Sequence, residues 1–288
     1  MRVTELALAL VLISAVAHAG WNFIAKRASA GPAFNWLFDT LSVLVCLPLV
    51  IGQVWFEPTR LGAIEWAFIV GSAVLELAYF ILLGQAYRLG DLSLVYPVAR
   101  GTGPMLATLA AVLLLGERPS AAGFVGVALV GVGVLVLAAD PSLLSGPRAT
   151  TSIAYALVTG LTIACYTVWD KVAVSRVGIP PILYFYLFTL CRVGMLSVYA
   201  ILHPAAVQHE WQVHRKHALG IAVLSPLSYI LVLYALSVSA VSFVAPLREI
   251  AIIFGVFMGT HALGEGSRQR RLAGGVAVLA GVIAIASS

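Results

Sequence analysis

Charged side chains are scarce in this chain of 288 residues. Twelve Asp and Glu and seventeen Lys and Arg make up 10% of it, against 61% hydrophobic residues and a mean hydropathy of +1.01. That scarcity excludes one large water-soluble core. A soluble chain of this length leaves roughly a quarter of its unfolded surface wet, and too few polar side chains exist here to cover it. Cysteine is equally sparse. Cys46, Cys165 and Cys191 show no Cys-x-x-Cys or Cys/His spacing, so they read as small packing residues rather than disulfide or metal partners. A Walker loop is missing, which argues against ATP-driven pumping by this chain. Also missing are a His-Glu-x-x-His motif, a metal cluster and a Ser/His or paired-Asp nucleophile arrangement, so an intramembrane enzyme is the minor reading. No cofactor and no metal is expected. Four of the six histidines, His203, His209, His214 and His217, sit in or beside one polar stretch and fit a hydrated loop better than a metal site. The formal net charge of +5 does not imply nucleic acid as a partner. Its basic residues mostly flank the apolar runs, where they meet lipid headgroups.

What the sequence has in abundance is long apolar runs. Ten candidates lie at about 4–25, 34–55, 63–87, 92–115, 120–139, 151–171, 180–202, 217–238, 241–263 and 271–287. Each is close to the ~20 residues that span a bilayer as a helix. The runs are continuous rather than alternating at period two, which argues against a closed barrel. With no water inside the bilayer to satisfy the backbone, helices remain. The expected class is therefore an all-α, polytopic membrane protein. "AVAHA" before Gly20 has the pattern of a signal-peptidase site, but apolar character continues through Trp21, Phe23 and Ile24 to Lys26, and a retained first span is expected. The basic residues number five on the side of the N-terminus and nine on the other, which by the positive-inside rule places both termini outside.

The chain also repeats itself. "SLVYPVAR" at Ser93–Arg100 lies on "SFVAPLRE" at Ser242–Glu249, with Pro97 opposite Pro246. "LLGE" at Leu114–Glu117 meets "ALGE" at Ala262–Glu265, and "WNFIAK" at Trp21–Lys26 resembles "YTVWDK" at Tyr166–Lys171. The matches keep one order at offsets of 145 to 149 residues. Two five-span units result, 1–140 and 151–288, joined by a linker at 141–150. Five is odd, so the second unit enters the membrane from the opposite side. An inverted repeat of this kind places a binding site near the midplane between the halves.

On these features the sequence resembles the EamA-type transporters of the drug/metabolite transporter superfamily. The resemblance rests on "AGWNFIAK" closing span one, on the prolines of spans four and nine, and on "LLGERPS" and "ALGEGS" at the ends of those spans. It implies ten transmembrane helices as two inverted five-helix repeats around a central cavity, with spans five and ten as peripheral supports. It implies a secondary, non-ATP carrier of small organic solutes in the bacterial cytoplasmic (inner) membrane, working by alternating access. Exporters of aromatic and other neutral amino acids are the favoured analogy. A drug or quaternary-cation carrier, another metabolite carrier and a lipid-linked sugar flippase are the alternatives. Relatives charge-rich on the N-terminal side would put the termini inside, so the orientation stays open.

Buried charge is expensive in lipid and should face a wet cavity or a partner. Helical steps put Ser72, Glu76, Tyr79 and Phe80 on one face of span three, and Ser93, Tyr96, Arg100 and Gly103 on one face of span four. Span one offers His18, Trp21 and Asn22; span six Tyr166 and Trp169; span eight Ser225, Ser228 and Tyr229; span nine Arg248 or Glu249. These are the candidate cavity residues, with aromatics for stacking and an arginine for a carboxylate. The competing reading makes the aromatics an interface belt. It also makes Glu76 with Arg100, or Glu249 with Arg248 or Arg100, structural ion pairs. Arg192 is read as structural, with Asp39 as its one evident partner, and His18 as a packing residue before a proton relay. Lys26 and Lys171 are expected to snorkel to headgroups. Pro97 and Pro246 each remove a helical hydrogen bond and mark matched kinks or hinges beside the cavity. Small residues in spans five and ten suit close helix packing within a monomer, with a homodimer face as the alternative.

Overall fold

The apolar runs fold into helices because only internal hydrogen bonding satisfies their backbone in lipid. A computed structural model describes residues 3–25, 28, 31–89, 92–138, 149–251 and 268–287. Its helices are α1 (Val3–Ala25), α2 (Pro32–Phe56), α3 (Ala63–Leu89), α4 (Leu92–Ala110), α5 (Ala121–Ala138), α6 (Ala149–Val172), α7 (Pro181–Leu202), α8 (Pro204–Val238), α9 (Val241–Leu247) and α10 (Arg268–Ala286). Among the described residues there is no strand. Among the described residues seven helices are long and apolar enough to cross a membrane, and α5 and α10 contain shorter apolar stretches. The expected ninth span beyond Ala251 lies outside the described residues, as do Lys26 and Glu265.

Matched helices run in opposite directions. Along α2 and α7, Asp39 meets Arg192 while the earlier Trp36 meets the later Ser197. Along α5 and α10, Gly126 faces Gly281 and Ile285, whereas Gly133 faces Gly274 and Val278. These two matched pairs, α2 with α7 and α5 with α10, are thus antiparallel. The halves also interleave: α1 packs on α8 as α3 packs on α6. The midplane is therefore walled by both halves at once.

The small residues of α5 and α10 serve this internal seam. A Cβ on Gly133 would lie 2.7 Å from Val278 N, and one on Gly126 would lie 2.7 Å from Gly281 O. Backbone faces backbone there, so no side chain can swing away. Gly126→Ala and Gly133→Ala should each cost about 1–3 kcal/mol by overpacking, read as a lowered midpoint of thermal unfolding in detergent.

Two boundaries differ from expectation. The polar stretch before residue 217 is not a loop but the first turns of α8, which is 35 residues long. Pro204 supplies the start, and Ala, Gln, Glu, Arg and Lys are good helix formers. At 1.5 Å per residue the helix reaches roughly 50 Å, beyond the ~30 Å hydrocarbon core, so its polar end projects past the apolar layer. His209, His214 and His217 therefore ride on a helix. Span six also runs further than residue 171: α6 continues through a π turn at Ala173–Val177 and stops at Gly178, whose φ of 79° suits glycine.

That extension changes the role of Lys171. It does not snorkel to headgroups. Its Nζ donates to Leu236 O at 2.7 Å and Ser239 O at 3.0 Å, carbonyls at the end of α8 that have no partner along the helix. Glu117, the acid of "LLGE", grips the other side of the same turn. It accepts from Val241 N (2.7 Å), Ser242 N (2.9 Å) and Ser242 Oγ (2.6 Å), capping the positive end of α9. A span-four signature thus anchors the second half of the chain.

Candidate functional site

Three polar clusters lie buried between the halves. Arg192 of α7 holds Asp39 of α2 in a two-pronged contact, Nε to Oδ2 at 2.7 Å and Nη2 to Oδ1 at 2.6 Å, and its Nη1 pairs with Glu76 of α3. Its guanidinium also stands 5.2 Å from the centre of the Phe80 ring. Planar guanidinium matches carboxylate geometry, which makes the Asp39 contact the tighter of the two. Glu76 therefore pairs with Arg192, not with Arg100. Arg100 of α4 instead pairs with Glu249, Nη2 to Oε1 at 3.3 Å.

His18 of α1 sits between two donors. Trp21 Nε1 points at its Nδ1 at 3.2 Å, and Arg100 Nη2 lies 3.1 Å from its Nε2. A neutral imidazole has one acceptor nitrogen, so one of these contacts is a full hydrogen bond; a doubly protonated ring would present hydrogens to both donors. The geometry suits a fixed neutral ring better than a proton relay.

The third cluster centres on Asp170 of α6, which has no exposed surface. Ser72 Oγ (2.6 Å) and Tyr184 Oη (2.8 Å) donate to its Oδ1, and Tyr229 Oη donates to its Oδ2.

α9 breaks just after Pro246. Glu249 N bonds back three residues to Pro246 O at 3.1 Å, and Ala251 N to Arg248 O at 3.1 Å. The tightened turn lets neighbouring residues face different partners. Glu249 goes to Arg100, and Arg248 lies 5.5 Å from the centre of the Tyr229 ring. Among the described residues no carboxylate lies within ion-pair distance of Arg248.

These groups surround a cavity of about 60 Å³. Of the residues singled out in the sequence, His18, Trp21, Glu76, Tyr79, Phe80, Arg100, Tyr166, Ser225, Ser228, Tyr229 and Arg248 line it. Ser72, Gly103 and three others do not. Asn22 turns back to His18 O at 2.7 Å. Trp169 spans α6 to α3, donating to Phe68 O at 2.9 Å and covering Gly71. Glu249 is buried against Arg100. α4 runs through Tyr96 and Pro97, whose side chains lie outside the described residues, and Pro246 is buried. Phe38, Phe185 and Arg192 also line the cavity without having been marked for it. Phe38 and Phe185 look like ordinary lipid-facing residues in sequence; only the crossing of α2 and α7 turns them inward. Asp170 does not stand out in the sequence because it adjoins Lys171, the expected end of span six. A carboxylate among apolar residues was the available signal.

The cavity is several-fold smaller than the ~300–1,000 Å³ of pockets that hold small organic ligands. Admitting a solute must widen it.

Comparison with known proteins adds the lineage. The sequence profile described as the EamA-like transporter family matches residues 5–139 and again residues 150–287. An uncharacterized transporter in the cobO 3′ region of a Sinorhizobium species is 31% identical over 98 residues, which is 34% of this chain and 68% of that protein. A protein crystal structure superposes with a TM-score of 0.73 at 16% identity, covering 97% of this chain and 98% of its own. At that identity the likeness speaks for the fold alone.

Proposed function

The chain belongs to the EamA-like transporter family, and from that premise, a multi-pass membrane transporter of small substrates, we propose that it is a secondary carrier of aromatic and other neutral amino acids, exporting them across a bacterial inner membrane by alternating access. One observation carries this reading. The cavity sets a guanidinium without a carboxylate partner among the described residues, Arg248, and the shared carboxylate Glu76 within one aromatic wall of Trp21, Tyr79, Phe80, Tyr166 and Tyr229. An amino acid needs those three things: a cation for its carboxylate, an anion for its ammonium group and an apolar surface for its side chain. Glu76 can be given up to a solute because Arg192 keeps its two-pronged contact with Asp39. The solute changes sides and not bonds.

The buried carboxylates Asp39, Glu76, Asp170 and Glu249 outnumber the guanidiniums of the described cavity region, the buried Arg100 and Arg192 and the half-buried Arg248, by one. That surplus favours a second reading, a carrier of organic cations. Purified protein in lipid vesicles separates the two. Loaded vesicles should release phenylalanine and leucine faster than protein-free vesicles and should leave a quaternary ammonium dye in place. Release of the dye with both amino acids retained would replace the first reading by the second.

A further inference from the structure

Asp170 is held by hydroxyls alone. Among the described residues no Lys, Arg or His lies within ion-pair distance of it. The other buried carboxylates around the cavity have partners: Asp39 and Glu76 share Arg192, and Glu249 takes Arg100. What remains is Asp170 on one side of Tyr229 and Arg248 on the other. Tyr229 gives its hydroxyl to Asp170 and its ring face to the guanidinium, and both Tyr229 and Arg248 line the cavity.

We propose that Asp170 is a proton switch for solute binding: it takes up a proton when a solute carboxylate captures Arg248, so that amino acid and proton bind together. The proposal rests on the amino-acid reading above. In the empty carrier Arg248 is the counter-charge to Asp170 across the Tyr229 ring. A solute carboxylate neutralises that charge. Asp170 is then a buried anion without a counter-charge, held by hydroxyl donors alone in a site shielded from water, where the neutral acid is favoured.

The groups packed around it divide: hydroxyl donors stabilise the anion, and the like charge of Glu76 opposes it. Ser72 and Tyr184, from α3 and α7, are neutral donors, and Glu76 of α3 is a like charge. On its own helix Tyr166 is neutral, and Lys171 is already engaged with the carbonyls at the end of α8. A proton reaching Oδ2 reverses the bond to Tyr229: the acid O–H donates and the phenol oxygen accepts, which turns the phenol hydrogen away from Asp170. The loaded site then pairs every charge once. Arg192 holds Asp39, Arg100 holds Glu249, Arg248 holds the solute carboxylate, Glu76 holds the solute ammonium, and Asp170 is neutral. Loss of the proton restores the pull of Asp170 on Arg248 and loosens the solute.

Titration calorimetry of the full chain in lipid nanodiscs, in buffers of different ionisation heat, counts the protons. Wild type should take up about one proton per phenylalanine bound, with Kd falling by up to about tenfold for each unit drop in pH. Phenethylamine, which lacks the carboxylate, should bind with no uptake. Asp170→Asn should bind phenylalanine with a Kd that does not change with pH. Phenylalanine binding without uptake, proton release instead, equal uptake with both solutes, or a pH slope kept in Asp170→Asn each overturns the switch and leaves the amino-acid reading standing. Failure to bind phenylalanine at any pH removes that reading, and the switch with it. If Asp170→Asn does not fold, the contrast between the two solutes on wild type decides the matter.

Discussion

Arg192→Met should be the most destabilising single substitution among the buried charges, at about 3–5 kcal/mol. Arg192 is 4% exposed, Asp39 1% and Glu76 8%. Removing the guanidinium leaves two carboxylates in a space that excludes water, with nothing to offset their desolvation. The cost comes from the groups left behind, which gives the prediction a second half. The triple variant Arg192→Met, Asp39→Asn, Glu76→Gln should recover most of the loss, because a neutral cluster of similar volume no longer buries unpaired charge. The single carboxylate variants should rank by geometry. Asp39→Asn breaks the two-pronged contact and should cost more than Glu76→Gln, after which Arg192 still holds Asp39. Thermal unfolding in one detergent orders the four proteins. Equal midpoints for Arg192→Met and wild type would show that the cluster does not tie α2, α3 and α7 together.

Arg248→Gln should have the largest effect on transport, and a selective one. A charge-assisted bond to a carboxylate contributes about 1.5–3 kcal/mol, so phenylalanine release from vesicles should slow by roughly tenfold to a hundredfold. Phenethylamine, with the same ring and ammonium group but no carboxylate, should move at close to the wild-type rate. Selectivity separates recognition from scaffolding. Because Arg248 has no carboxylate within ion-pair distance among the described residues, its removal strands no buried anion in direct contact, unlike removal of Arg192. An equal loss for both solutes would mean that Arg248 shapes the helix break after Pro246 rather than meeting the solute.

Much of the architecture was legible before any coordinates. The long apolar runs and a repeat of "SxVxP" follow from counting residues and spacing, because lipid accepts little besides a helix and an odd number of spans forces inversion. The faces of spans one, three, six and eight were legible for the same reason: helical periodicity turns a list of polar residues into a side. Less legible was where polar helix ends stop. "HPAAVQHEWQVHRK" reads as a loop by polarity and is helical by propensity, and the π turn after Val172 carries Asp170 inward from an expected span end.

Sequence by itself determined the solvent, the crossings and the set of charges that must be hidden, since each depends only on composition and on distance along a helix. Which charge meets which was decided only by the tertiary structure. Glu76 and Arg100 share the first half of the chain, yet each takes its partner from the second, Arg192 and Glu249. An ion pair depends on separations of a few ångströms across crossing helices, and those separations are set by packing: glycine seams that bring α5 and α10 together, and a break after Pro246 that points Arg248 and Glu249 at different neighbours.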